Sequence, residues 1–144
     1  MQISTRFSVA VHTLLCIVRF SGERRVTSKF VAASTGVNPV VVRRLFGQLK
    51  DAGIILVEPG VGGATVVRNY DEVTLLDVFR AVESVDGSLF AFHEHPSPDC
   101  PVGRAIHRVL DDELTAAQRA LEERLAQTTL QDLADSLARI DAQG

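Results

Sequence analysis

Residues 26–68, VTSKFVAASTGVNPVVVRRLFGQLKDAGIILVEPGVGGATVVR, decide the fold of this chain. Ser28 reads as an N-cap, Phe30, Val31 and Ala33 supply apolar spacing, and Gly36 suits the left-handed conformation that ends a helix. After a short turn Asn38 is placed to cap a second helix, with Pro39 at its first position, where a missing N–H costs nothing. Val42, Leu45, Phe46, Leu49 and Ala52 then fall at the spacing that buries one helical face, and Gly53 ends the run. The opposite face carries Val40, Val41, Arg43, Arg44, Gly47, Gln48 and Lys50.

Two branched stretches, 54–58 and 65–68, flank Pro59, Gly60, Gly62 and Gly63, which predicts a hairpin with a flexible tip. Two short helices, a tight turn and a glycine-tipped hairpin make a winged helix-turn-helix. The module lays its second helix in a DNA groove and brings the hairpin close to phosphate.

Outward from this segment, a first helix is expected to start after Ser4 or Thr5 and run to about Phe20, with Phe7, Val11, Leu14, Leu15 and Val18 facing the core. Thr74 and Asp77 have the spacing of a capping box, and Leu75, Val78, Phe79 and Val82 continue a helix to about Ser84. Residues 86–99 read as irregular around Gly87, Pro96 and Pro98. A long helix over 101–126 carries Val102, Ile106, Leu110, Leu114, Ala117, Leu121 and Leu125 at three- and four-residue intervals. That seam exceeds what a small domain can cover, so pairing with the same helix of a second subunit is expected, with packing inside the chain as the alternative. A final short helix with Leu130, Leu133, Leu137 and Ile140 folds back over its own or its partner's winged domain. The organisation is therefore a winged domain over 1–84, a loop and candidate effector region over 85–100, and a dimerisation helix with a short terminal helix over 101–144. The fold class is mainly α with a small β-wing.

The 144 residues carry a net charge of −3, which looks wrong for a DNA binder until the chain is divided after Tyr70. Residues 1–70 hold nine Lys and Arg against three Asp and Glu, a net +6, and residues 71–144 hold six against fifteen, a net −9. The local field, not the total, attracts a polyanion, so the basic half is the gripping half. No long apolar run and no signal-peptide pattern occur, and two cysteines, Cys16 and Cys100, are too few for a disulfide framework. The expectation is a cytoplasmic protein with no membrane partner.

On that reading Asn38, Pro39, Val40, Val41, Arg43 and Arg44 stand at the start of the recognition helix. Arg matches guanine in a bidentate contact and Val packs on thymine methyls. Arg43 and Arg44 serve equally well as phosphate clamps; the reading favours a mixed role with Arg43 toward a base. Ser4, Thr5, Arg6, Ser28 and Lys29 sit at helix starts, where free N–H groups favour phosphate. Gly62, Gly63, Thr65 and Arg68 bring the wing to the backbone or minor groove.

Two clusters are candidate sensors. His12 stands one helical turn from Cys16, an arrangement that lets an imidazolium lower a thiol pKa, although Cys in a helix more often serves as a small apolar residue. His93, His95 and Cys100, with His107 beyond, offer nitrogen and sulfur donors; no metal site is assigned to them. The glycines of residues 59–64 lack the Lys-Ser or Lys-Thr of a P-loop, and no hydrolase or zinc-protease motif is present, so no catalytic residue is assigned. The alternative to a DNA binder is a winged-helix protein-interaction module without sequence-specific DNA binding.

RFSVAVHTLL (6–15), VNPVVVRRLFGQLKDAGII (37–55), PGVGGA (59–64), TLLDVFRAVE (74–83) and HEHPSPDCPVGRAI (93–106) together resemble the Rrf-two family of bacterial transcription regulators. Its better-known branches include IscR, NsrR and CymR, and the pattern is nearest the YwnA-like branch. The resemblance implies a homodimer that binds an inverted-repeat operator, usually as a repressor. Iron–sulfur members of the family hold their cluster with three loop cysteines, whereas here Cys100 stands alone in that loop. No family-type cluster and no other cofactor are expected, and a small-molecule or redox effector is not identified.

Overall fold

The computed structural model describes residues 4–83 and 89–144. Their elements follow in the order α1 (Thr5–Phe20), α2 (Ser28–Thr35), α3 (Pro39–Asp51), β1 (Ile55–Val57), β2 (Ala64–Val66), α4 (Leu75–Val82), α5 (Pro101–Ala126) and α6 (Leu130–Gln143). The mainly α class with a two-stranded wing holds.

Ser4 caps α1, accepting the Arg6 N–H. The buried face of α1 is rotated from the expected one. Ala10, Thr13, Leu14, Cys16 and Ile17 are buried, while Phe7, Val11, Leu15 and Val18 are half-buried at the margins. The cause is position: α1 packs against α2, α3, α4, α6 and β2. A helix surrounded on so many sides is apolar nearly all round, and periodicity alone does not pick its deepest stripe. Thr13, the buried polar residue there, donates its hydroxyl to the Val9 carbonyl at 2.7 Å.

Thr27, not Ser28, caps α2. Its Oγ1 accepts the Phe30 N–H at 3.2 Å, and Ser28 is the first helical residue. Either residue type suits a cap, and the tertiary anchor decides: Val26 is buried and its carbonyl accepts the Ala64 N–H at 2.9 Å, which fixes where the extended chain gives way to helix. Gly36 ends α2 at φ 75°, and Asn38 Oδ1 caps α3 through the Val40 N–H at 2.8 Å with Pro39 following. Val42, Leu45, Phe46 and Leu49 are buried as expected. Ala52 is the exception; it is the C-cap, already outside the last turn, and is exposed.

The hairpin is shorter than its branched stretches suggest. Three antiparallel pairs, Ile55 with Val66, Leu56 with Thr65 and Val57 with Ala64, form it. Gly60 at φ 80° and Gly62 at φ 72° turn its tip. Thr74 and Asp77 form both halves of the capping box that opens α4. The expected end of that helix near Ser84 lies outside the described residues, as does the start of the irregular segment over 86–99; its described part, 89–99, contains no helix or strand.

α5 runs over the expected range, capped in position by Cys100, and none of its residues is buried. It touches α4, with Arg80 and Glu122 paired at 3.6 Å. α6 packs on α1 of its own chain. Its first turn is sewn to the start of α4 by Leu75 N–H to Thr128 O, Leu130 N–H to Val73 O and Gln131 N–H to Tyr70 O, at 2.9, 2.7 and 3.0 Å. Leu130 is buried in the common core.

Candidate nucleic-acid interface

The exposed face of α3 is where the sequence places it. Val40 is half exposed, Val41 is half-buried against the core, and Arg43, Arg44 and Lys50 are exposed. Among the described residues no carboxylate or hydrogen-bond acceptor engages Arg43, Arg44, Lys29 or Lys50, whereas Arg6, Arg19, Arg68, Arg80, Arg124 and Arg139 all have partners. Exposed cations left without counter-charges are available to an external polyanion. Asn38 is exposed, and its Oδ1 caps the helix.

The helix-start residues separate into two groups. Lys29 stands exposed in the first turn of α2 beside Ser28. Ser4 and Arg6 are turned inward. The Ser4 hydroxyl donates to Glu83 Oε1 at 2.8 Å, Arg6 Nη2 lies 3.5 Å from Glu83 Oε2, and Arg6 Nε donates to Ser4 Oγ at 3.1 Å. Thr5 is exposed at the head of α1. Arg68 is likewise engaged, with Nη2 donating to the Glu72 carbonyl at 3.1 Å and Nη1 3.8 Å from Asp77. It anchors the wing's exit to α4.

At the wing, Thr65 is exposed, and Gly62 and Gly63 form the return limb of the turn. A Cβ on Gly63 would meet Arg25 Cγ at 2.6 Å, so the glycine admits the Arg25 stem. Arg24 and Arg25 are functional candidates that the sequence reading missed. Both are exposed in the connection between α1 and α2 and line a cleft with Glu58, Gly63 and Thr65, and the Arg24 guanidinium lies 4.2 Å from the Phe30 ring centroid. The consecutive arginines were the available signal; the wing that gathers them came later in the chain.

The candidate sensor residues divide as well. Cys16 is buried and His12 exposed, and they meet through Ser34: His12 Nε2 lies 2.9 Å from Ser34 Oγ, and Cys16 Sγ donates to the same oxygen at 3.5 Å. His93 stacks on Phe92, which also meets His107, and His107 lies 3.4 Å from Asp111. His95 is exposed beside Glu94. Cys100 is exposed at the head of α5, where the N–H groups of Gly103 and Val102 favour its thiolate and lower its pKa, without a formed side-chain cap bond. No group of three or more His, Cys, Asp or Glu converges as a metal site among the described residues. No helix among them is long and apolar enough to cross a membrane.

The family Rrf2, described as iron-dependent transcriptional regulators, matches residues 3–136. The HTH-type transcriptional regulator YwnA of Bacillus subtilis is 41% identical over 136 residues, 94% of this chain and 99% of that protein. A solved structure described as a transcriptional regulator from Lactobacillus plantarum is 26% identical, with a TM-score of 0.77 over 93% of this chain and 90% of that one. CymR, the global cysteine regulator of B. subtilis, shares the fold at 21% identity and a TM-score of 0.66, over 94% and 97% of the two chains. With the winged helix-turn-helix in place and a relative aligned almost end to end, the chain belongs to the Rrf2 family and is a DNA-binding transcriptional regulator, not an enzyme.

Proposed function

We propose that the protein is a cytoplasmic homodimeric repressor that binds an inverted-repeat operator through α3. The observation that carries the reading is the capped α3 itself, which presents Val40, Arg43 and Arg44 outward with both arginines unengaged. A twofold dimer sets two such helices about one turn of DNA apart, each in a major groove. Asn38, Val40, Val41 and Arg43 approach base edges, Pro39 starts the helix at the required angle, and Arg44, Ser28 and Lys29 hold phosphates. Thr5 and the Gly62–Gly63 limb of the wing with Thr65 bring backbone to the duplex, and Arg24 and Arg25 add charge there. Ser4, Arg6 and Arg68 contribute by holding α1, α4 and the wing in register rather than by free contact.

The dimer is built on α5. Val102, Ile106, Leu110, Leu114, Leu121 and Leu125 are half-buried or exposed along a helix that its own chain leaves open on one side. A family-type iron–sulfur centre does not fit the donors present, because one thiolate, Cys100, stands among histidines that pair with Phe92, Glu94 and Asp111. We assign no resident cofactor.

The test is selection of bound fragments from the source genome by the reduced protein, followed by titration of the best fragment across a salt series. An enriched inverted repeat, bound one dimer per site with a steep salt dependence, is the expected result. Binding no tighter than to random DNA overturns the operator reading.

A further inference from the structure

Between α1, α2 and α6 opens a cavity of about 550 Å³, a size suited to a small organic molecule. Val11, Leu15, Phe20 and Leu137 give it apolar wall, Ser8 and the Arg19–Asp141 pair, 3.9 Å apart, give it polar wall, and His12, Ser34 and Cys16 meet on it. Cys16 donates its thiol hydrogen to Ser34 Oγ at 3.5 Å, and His12 Nε2 lies 2.9 Å from that oxygen. With the imidazole protonated on Nδ1, the Ser34 hydroxyl donates to Nε2, and thiol, hydroxyl and imidazole form one continuous chain from donor to acceptor. The chain runs from a nucleophile to a base.

The apolar part of the lining favours an electrophile with a hydrocarbon tail, which gains the free energy of leaving water there. We propose that this cavity senses small α,β-unsaturated carbonyl compounds by covalent addition to Cys16. The thiol proton passes through the Ser34 hydroxyl to His12 Nε2, and the sulfur lone pair forms an S–C bond to the β-carbon of the enone. The C=C π pair moves toward the carbonyl as an enolate, and the imidazolium returns the proton to the α-carbon. The net change is addition of S–H across C=C, with nothing oxidised or reduced.

The adduct removes the thiol hydrogen from Ser34 and places mass between α1 and α2. Ser34 stands two residues before Gly36, whose left-handed turn leads to the Asn38 cap of α3. Addition at Cys16 therefore alters the angle at which α3 is presented. This consequence rests on the operator reading above; the addition itself does not.

The experiment uses the full chain carrying Cys100→Ser, in which Cys16 is the remaining thiol, and the apolar enone 1-octen-3-one. Intact mass and peptide mapping should show one adduct, at Cys16. Ser34→Ala and His12→Gln should each slow it about a hundredfold, the scale of proton-transfer assistance by a positioned base. Thermal melts identify folded variants, and His12→Gln keeps a hydrogen-bonding side chain should Ser34→Ala unfold. In urea all variants should react alike. An unmodified Cys16 in folded protein, or equal rates across the folded variants, overturns the proposal. Adducted protein should bind the selected operator at least about tenfold more weakly, about 1.4 kcal/mol. An adduct that leaves operator affinity unchanged overturns the sensing role, whereas failure of unmodified protein to select any operator strikes the operator reading instead.

Discussion

Arg43 and Lys29 are both exposed cations without partners, yet they stand in different places and carry different expectations. Arg43 lies in the second turn of α3, the proposed recognition helix, and Lys29 in the first turn of α2, where free N–H groups favour phosphate. Arg43→Ala should relax preference at one base pair, costing about 1–3 kcal/mol there. Lys29→Ala should weaken binding to all sequences alike and reduce the salt slope by about 1. Competition titrations on single-base operator variants separate the two, and a uniform loss in both mutants sinks the base-reading role of Arg43. Cys100 supports a second expectation at this scale. Its thiolate is favoured by the N–H groups of Gly103 and Val102, so its folded pKa lies below that of the unfolded thiol. Folding thus gains with rising pH through that interval and loses the gain as pH falls through the folded value. In a Cys16→Ser chain, the pH midpoint for iodoacetamide alkylation of Cys100 should lie lower in native protein than in urea. Coincident midpoints refute the assignment.

At the scale of elements, α3 was legible almost whole because Asn38, Pro39 and a four-residue apolar period all agree on its start and inner face. α2 was legible to within one residue. Thr27 and Ser28 are equally good caps in isolation, and the bond from Ala64 to Val26, across 38 positions of sequence, is what distinguishes them. For the same reason Arg24 and Arg25 escaped notice and Arg6 and Arg68 looked available: partners such as Gly63, Glu83 and Asp77 are remote or on other elements, and local spacing does not reveal them. Gly47 remains to be accounted for in α3. It lies mid-helix on the outer face, and a Cβ there would meet nothing within 4 Å. The chain itself has no packing need for a residue that costs about 0.5–1 kcal/mol relative to Ala. Gly47→Ala should raise stability in urea by that amount. If close approach of the α3 backbone to DNA is what retains glycine, operator affinity should fall in the same protein; unchanged affinity leaves only the stability effect and refutes that explanation. The α5 seam makes its own demand. Val102 and Val109 are 67% and 66% exposed on a helix with no buried residue, and Val109 lay outside the expected seam. Val109→Glu should convert the proposed dimer to monomer by light scattering while preserving the helical circular dichroism spectrum. A dimer that persists moves the interface off this part of α5.

At the scale of the molecule, the division into a basic first half and an acidic second half was plain in composition, but how closely the second half returns to the first was not. α6 was expected to cover a winged domain, and its seam of leucines is consistent with that; what composition does not show is that Leu130 is 3% exposed within the same core as Leu14, Leu49 and Val78. The three backbone bonds from the start of α6 to residues 70–75 tie this core closed, and the Thr129–Asp132 capping box repeats the device used by Thr74 and Asp77 at the adjoining helix start. The helix that ends the chain thus stabilises the helices that hold α3. Leu130→Ala, which removes a buried side chain from that junction, should cost about 2–5 kcal/mol. Urea unfolding followed at the single Tyr70, whose carbonyl accepts the Gln131 N–H, should report the loss, because Tyr70 lies beside the junction. If the core is shared as described, the same midpoint should appear in the circular dichroism of the helices and in loss of operator binding. Two separate transitions, with DNA binding surviving the first, would show that the winged domain folds independently of α6 and that the junction is only a tether.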